Sequence, residues 1–214
     1  DGGKRKVARH QQYFAVTRAL EQVTSGEPGE RRPGGVIWHT QGSGKSLTMV
    51  MLAKALESAP RIPNARVILV TDRGDLDVQI RDTFRSCELD PVRARSGRHL
   101  AELIRDRAPL VTTIVNKFEN AAKVLDADPA DPDPNVFVLV DEGHRTHSAR
   151  HGDFGTFAKK MRRALPLANF IAFTGTPLMT KERSSFRTFG DLIHQYTIKD
   201  ANDDKAVVPL LYEG

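Results

Sequence analysis

The sequence predicts an α/β fold, one domain with a mostly parallel sheet flanked by helices. Three observations carry the prediction. Strand-length β-branched runs alternate with stretches of helical spacing along the chain. One such run, Val36 to Trp38, leads through a glycine-containing turn into a helix, and another, Val136 to Val140, ends in two acids. The 214 residues suffice for one well-buried domain and are short for two. Hydrophobic residues make up 39% and charged ones 28%, the balance of a globular chain rather than a disordered one. The longest apolar runs are only strand length, which excludes a membrane span, and no charged-then-apolar leader points to secretion. Cys87 is the single cysteine, so an internal disulfide is excluded and a reducing cytoplasm fits. A net charge of +5 suits a polyanionic partner without specifying one.

In chain order, residues 1–8, with Lys4, Arg5 and Lys6 beside two glycines, read as a ragged lead-in. From Arg9 to Val23 the positions Tyr13, Val16, Leu20 and Val23 fall on one helical face, which predicts a helix buried along that stripe. Residues 24–35 carry the Gly and Pro of a loop. After the strand at Val36, a helix is expected over about 45–58. It is apolar nearly all round at Leu47, Met49, Val50, Met51 and Leu52, as for a sandwiched helix, and Pro60 and Pro63 mark its end. Arg66 to Thr71 is a continuous β-branched run, expected to be buried on both faces. Thr71-Asp72-Arg73-Gly74 makes a turn, and Leu76, Ile80 and Phe84 mark the next helix. Leu110 to Val115 reads as a strand with Asn116 and Lys117 at its carboxyl end, and the Asp- and Pro-rich residues 126–135 as a surface loop. Val136 to Val140 and Asn169 to Phe173 are further strands. Phe186, Phe189, Leu192 and Ile193 predict a short helix, His194 to Ile198 and Val207 to Tyr212 predict two more strands, and residues 201–214 lead out of the domain.

The chemistry concentrates in a few stretches. Thr40-Gln41-Gly42-Ser43-Gly44-Lys45-Ser46, set between strand and helix, has the layout of a nucleoside triphosphate cradle. Gly42 and Gly44 permit backbone conformations that turn successive N–H groups inward, and the helix N-terminus adds donors and a positive dipole end. Lys45 suits the β and γ phosphates and Ser46 a Mg²⁺ ion. His39 stands where the six-residue form of the motif has glycine. Asp141-Glu142-Gly143-His144 would complete the site, Asp141 sharing Mg²⁺ with Ser46 and Glu142 orienting or deprotonating the attacking water. His144, His147 and His151 could line one side of a helix, but no cysteine pair assists and the nearby acids have a better use, so zinc is not the expected reading. Thr174-Gly175-Thr176-Pro177 places two hydroxyls after a strand, where such sheets hold ligand groups. Gln12 is either a surface polar residue beside the core stripe or an amide presented to a base edge.

With these residues in view, the chain resembles the first motor domain of superfamily 2 helicases and translocases, a RecA-like P-loop NTPase lobe. Within that group it resembles the motor subunit of type I restriction-modification enzymes. The motifs run in the same order over nearly the full length: Arg9-x-x-Gln12-x-x-Ala15, Thr40 to Ser46, Val70-Thr71-Asp72-Arg73, Val111-Thr112-Thr113, Asp141-Glu142-Gly143-His144 and Thr174-Gly175-Thr176-Pro177. Asp-Glu-Gly-His narrows the likeness to the restriction motors, and Trp38-His39-Thr40-Gln41 makes His39 a trait of that group. The resemblance implies that ATP and Mg²⁺ are held by Gln12, Gln41, Gly42, Ser43, Gly44, Lys45 and Ser46, with Asp141 also on the metal. Lys45, Asp141 and Glu142 would be catalytic, and Gln12 would read adenine. Thr71, Asp72, Arg73, Thr112 and Thr113 would touch a DNA backbone, while His144, Thr174 and Thr176 would couple nucleotide state to the DNA grip. In such enzymes hydrolysis drives movement along duplex DNA until a nuclease domain of the same subunit cuts, and methyltransferase and specificity subunits supply site recognition, in a bacterial or archaeal cytoplasm.

Two departures from a whole motor subunit lead to the expectation of one excised domain spanning 1–214. No second lobe with its arginine finger follows Thr174-Gly175-Thr176-Pro177, and no nuclease signature is found. Two other readings stay open. One is the equivalent lobe of another superfamily 2 helicase acting on RNA, against which Asp-Glu-Gly-His and Thr-Gly-Thr-Pro-Leu count. The other is a non-motor module that binds nucleotide or docks to a larger assembly without chemistry.

Overall fold

Seven parallel strands, ordered β3-β4-β2-β5-β6-β1-β7, form the sheet of the computed structural model, which describes residues 7–27, 29–71, 74–127, 132–141, 160–175 and 189–207. In chain order the elements are α1 (His10–Thr24), β1 (Gly35–His39), α2 (Lys45–Glu57), β2 (Arg66–Thr71), α3 (Gly74–Arg85), β3 (Val92–Arg93), α4 (Gly97–Arg105), β4 (Leu110–Ile114), α5 (Val115–Ala127), β5 (Val136–Asp141), β6 (Asn169–Thr174), β7 (Leu192–Tyr196) and α6 (Ile198–Asp203). The expected α/β class with a mostly parallel sheet is what the chain adopts, and every strand pairing is parallel.

The central strands are apolar on both faces because helices cover both. Val136, Val138 and Val140 of β5 pack with Ile68, Val70, Phe170 and Ala172 against α4 and α5. Phe137 and Leu139 turn the other way, with Val67, Leu69, Ile171 and Phe173, onto α1, α2 and α3. One strand therefore feeds two cores, which is why Val136 to Val140 reads as an unbroken hydrophobic run rather than an alternating one. No helix among the described residues is long and apolar enough to cross a membrane.

Several local expectations are corrected. The buried stripe of α1 is Gln12, Ala15, Ala19 and Val23 with Gln11, whereas Tyr13 is 59% exposed. Small side chains win that face because α1 lies close against α2, and the larger Val16 and Leu20 flank the contact half-buried. Strand β4 stops at Ile114 and Val115 already opens α5, so Asn116 and Lys117 are helical; the buried Val115, Phe118, Ala121, Ala122 and Leu125 give α5 its inner face. Leu192 and Ile193 belong to edge strand β7 and not to a helix. Leu192 and Gln195 are exposed and Ile193, His194 and Tyr196 buried, a pattern that breaks the alternation of the pleat where the pairing with β1 shifts register between Val36 and Ile37. Ile198 starts α6, capped by the Thr197 hydroxyl accepting from the Asp200 N–H, so the strand expected to reach it ends at Tyr196. β3, α4 and α5 were not foreseen. The expected strand at Val207 to Tyr212 and Phe186 of the expected helix lie outside the described residues, apart from Val207.

The α1–α2 contact makes a prediction. Ala15→Leu overpacks it and lowers unfolding free energy by about 1–3 kcal/mol, while Tyr13→Ser changes it by less than about 0.5 kcal/mol; urea denaturation of both variants checks the pair.

Candidate functional site

Register is the starting point of the site. Ile37 of β1 and Asp141 of β5 both pair with Phe173 of the intervening β6. With neighbouring strands just under 5 Å apart, the end of β5 lies about 10 Å across the sheet from β1. Because all three strands run the same way, the loop after His39, Asp141 at the end of β5 and Gly175 after β6 lie at one edge of the sheet. Asp141 itself is 7% exposed there.

The loop from Thr40 to Gly44 is a closed turn. The Ser43 hydroxyl donates to the Thr40 carbonyl at 2.6 Å and the Ser43 N–H to the same oxygen at 3.3 Å. Gly42 and Gly44 have φ of 80° and 88°, the left-handed region that a Cβ disfavours. Gly44 caps α2 without a side chain, and the first bond of the helix is Thr48 N–H to the Gly44 carbonyl at 3.1 Å. The N–H groups ahead of that bond, with the dipole of a 13-residue helix behind them, form an anion cradle at the sheet edge. Lys45 folds back so that Nζ lies 3.4 Å from the His39 carbonyl, and a Cβ on Gly175 would come within 2.9 Å of that nitrogen. Gly175, part of the Thr174 to Pro177 motif but given no role of its own there, thus lets the end of β6 close over Lys45. These residues fit a metal-bound triphosphate. The cradle offers main-chain donors and an ammonium group, and Ser46 and Asp141 carry oxygens of the kind a Mg²⁺ ion takes.

Helix α1 holds the loop through main-chain oxygens. Gln12 Nε2 donates to the Gly44 carbonyl at 3.2 Å while Gln12 Oε1 accepts from the Arg9 N–H at 3.0 Å. Gln11, a residue the sequence reading passed over, donates Nε2 to the Ser43 carbonyl at 3.4 Å. Both glutamines are 2% exposed. Gln12 retains one N–H and one lone pair beyond these contacts, the pair of groups an adenine edge engages.

His39 packs behind the loop. It is fully buried, its Nε2 lies 2.8 Å from Nδ1 of His194 on β7, and its Nδ1 has no partner. Burial above all, then the neighbouring His194 and Lys45, pushes its pKa down to about 3, so it is neutral at ordinary pH. His194 is also lowered, by burial first and then by Arg18 and His10, with Asp200 opposing. The Thr40 N–H donates to the Tyr196 carbonyl at 2.9 Å, so β7 braces the loop's entry through main chain as well. A glycine at 39 would leave an empty space beside His194, which accounts for the departure from the six-residue motif.

The structure does not gather every candidate at this edge by side chain. Thr71, Thr112, Thr113 and Thr174 have exposures of 0–2%. The Thr71 hydroxyl donates to the Thr113 carbonyl at 3.4 Å, and the Thr113 hydroxyl to the Ile114 carbonyl at 3.5 Å. Asp72, Arg73, Glu142, His144 and Thr176 lie outside the described residues, as do His147 and His151. Among the described residues no group of three His, Cys, Asp or Glu could hold a metal.

Comparison with known proteins follows the same lines. A family profile described as SWI2/SNF2 ATPase matches residues 11–214. The MjaIXP endonuclease subunit assigned to a type I restriction enzyme of Methanocaldococcus jannaschii is 36% identical over 99% of this chain and 20% of its own length. The HindI endonuclease subunit of a type I restriction enzyme from Haemophilus influenzae is 35% identical over 98% of this chain and 21% of its own. The chain thus spans about a fifth of these relatives. Among solved structures, a nuclease-deletion mutant of the Type ISP restriction-modification enzyme LlaGI, solved with a DNA substrate mimic, superposes with a TM-score of 0.70 at 17% identity, covering 93% of this chain and 18% of that one. The Hef helicase domain of Pyrococcus furiosus gives 0.65 at 18% identity, covering 94% and 40%. At these identities the superpositions establish the fold alone.

The buried His39 makes stability depend on pH. Its folded pKa near 3 lies below the unfolded value of 6.5, so as pH falls through 6.5 the unfolded chain takes up a proton that the folded one does not. Stability present above pH 6.5 is lost on acidification, by about 2 kcal/mol from this residue at pH 5. Urea unfolding at pH 7.5 and 5.0 is expected to show that loss in the parent chain and a smaller one in His39→Gln.

Proposed function

From the premise that the chain belongs to the SWI2/SNF2 ATPase family, we propose that it is the first ATP-binding lobe of a DNA translocase of the type I restriction kind, coupling ATP hydrolysis to movement on duplex DNA. The observation that carries this reading is the shared register of β1, β6 and β5, which delivers the Gly42 to Ser46 loop and Asp141 to one edge. Similarity to restriction endonuclease subunits over nearly the whole chain supports the choice of motor.

In this reading Gln41, Gly42, Ser43, Gly44, Lys45 and Ser46 bind the phosphates, and Gln12 binds the base with the N–H and lone pair its loop contact leaves over. Ser46 and Asp141 would hold Mg²⁺, which when bound would neutralise charge on the phosphates. Glu142 orients or deprotonates water, next to Asp141 but one residue further from the metal. Lys45 meets charge developing between the β and γ positions. His144, Thr174 and Thr176 couple the nucleotide state to the grip on DNA. Contact with the backbone falls to Asp72, Arg73 and the main chain around Thr71, Thr112 and Thr113, because these threonine side chains are buried. A second lobe, a nuclease domain, and methyltransferase and specificity subunits are the partners of such a motor in a bacterial or archaeal cytoplasm.

In a protein carrying both lobes, duplex DNA is expected to stimulate ATP hydrolysis and single-stranded RNA to leave it unchanged; stimulation by RNA alone would instead make the chain part of an RNA helicase. Lys45→Ala abolishes saturable Mg·ATP binding, and binding that survives it would leave a non-motor module. Asp141→Ala weakens Mg²⁺-dependent binding, while Glu142→Gln spares binding and lowers turnover by roughly 10²–10⁴-fold; equal loss of binding in the two contradicts the assigned roles.

A further inference from the structure

The sheet edge away from the phosphate loop ends in β3, and a buried acid there grips an exposed arginine. Asp77 on α3 is 1% exposed, and its Oδ2 accepts from Arg93 Nε at 2.7 Å, while the Arg93 side chain is 41% exposed. Arg93 pairs with Thr112 in the β3–β4 register. Leu110 faces the core under α1, α2 and α3 and Val111 the opposite one, so Thr112, and with it Arg93, point to the α3 side. Among the described residues Asp77 Oδ1 and the Thr112 hydroxyl are buried there without partners. A buried carboxylate strongly favours a cation beside it, so Asp77 pins the Nε side of the guanidinium and leaves both terminal NH₂ groups for another acceptor.

The backbone that carries Arg93 onward is rigid. The Ala94 N–H donates to the Thr112 carbonyl and Lys117 Nζ donates to the Ala94 carbonyl, each at 2.9 Å. The Ser96 hydroxyl caps α4 by accepting from the His99 N–H at 3.1 Å, and the Arg95 N–H donates to His99 Nδ1 at 3.1 Å. Gly97 seats α4 on α5, since a Cβ there would meet Asn120 Cβ at 2.5 Å. Arg93, Arg95 and Arg98 are exposed along this segment, and no acid occurs from Pro91 to Ala101. The segment leaves the carboxyl end of β3, the same end of the parallel strands from which the loop after β1 leaves, though laterally across the sheet from it.

We propose that Arg93, positioned by Asp77 and flanked by Arg95 and Arg98, binds the phosphodiester backbone of duplex DNA at the β3–α4 edge. The assignment rests on the reading of the chain as a DNA motor and adds to it a contact residue and a positioning residue. An arginine held on one side by a carboxylate presents a fixed fork to a phosphate, and the rigid segment lowers the entropy lost on binding.

The test is fluorescence anisotropy of a labelled duplex of arbitrary sequence, titrated with the full-length protein over a salt series, with circular dichroism to verify folding. The double variant Asp77→Asn/Arg93→Gln keeps a neutral hydrogen-bonded pair in place of the ion pair. It is expected to weaken binding roughly tenfold and to reduce the slope of log affinity against log salt by about 1. Asp77→Asn alone keeps the charge and is expected to retain the slope while losing a few-fold in affinity, the signature of a positioning residue. If the double variant fails to fold, Arg93→Lys, which keeps an ion pair with Asp77, is expected to weaken binding with the slope retained. Parent-like affinity and slope in the folded double variant, or in Arg93→Lys where the double does not fold, overturn the inference while leaving the motor reading intact. A parent protein that binds no duplex overturns the motor reading itself.

Discussion

The parallel hydrogen bonding of β1 to β6 and of β6 to β5 is the constraint on which the rest depends. It is a main-chain constraint. Two loops separated by about a hundred residues in sequence can act on one ligand only if their strands share direction and register, and a right-handed connection through helices is what lets parallel strands do so. The apolar content of β5 and β6 follows, since strands that must lie in the middle of the sheet are covered on both sides and have no room for polar side chains away from their ends. The polar residues Thr71, Asp141 and Thr174 are the last of their strands, at the one boundary where such groups reach an edge.

A second layer of contacts fixes the loop without occupying it. Gln11 and Gln12 bond to carbonyls of Ser43 and Gly44 and so take up none of the loop's N–H groups. The contact of neutral His39 with His194 and the Thr40 to Tyr196 main-chain bond tie the start of the loop to β7. Donors already oriented by their surroundings lose little entropy when they meet an anion, which is the physical content of a preformed site. The smallness of Ala15 and Ala19 belongs to the same arrangement, because it lets α1 approach α2 closely enough for two glutamine amides to reach the loop.

How much of this could be read in advance depended on the range of the interactions. The phosphate loop and the strand ending in Asp141 are local patterns, so glycine placement and β-branched runs sufficed. The class of the fold followed from their alternation with helices. The face that α1 buries was misjudged because Tyr13, Val16 and Leu20 outrank alanine in hydrophobicity, and only the closeness of a neighbouring helix reverses that order. Edge strand β7 was misread because Phe186, Phe189, Leu192 and Ile193 happen to recur at helical spacing, whereas its pairing with β1 is long-range. Strand β3 has two residues, too few for any period, and α4 is polar enough to hide its Leu100, Ala101 and Ile104 stripe, although Ser96 was an available start signal. Gln11 and Gly175 could not be separated from their neighbours by type alone. Their roles come from distances to Ser43 and Lys45 that no spacing rule encodes.

The central claim is that the ends of β1 and β5 act on one metal-bound triphosphate. A double-mutant cycle on nucleotide affinity measures this most directly, using Ser46→Ala, Asp141→Ala and the double variant, with and without Mg²⁺. The account predicts that the two losses are coupled by more than about 0.5 kcal/mol when Mg²⁺ is present and add independently when it is absent. Losses that add in both conditions would show that the two side chains do not share a metal, and would contradict it.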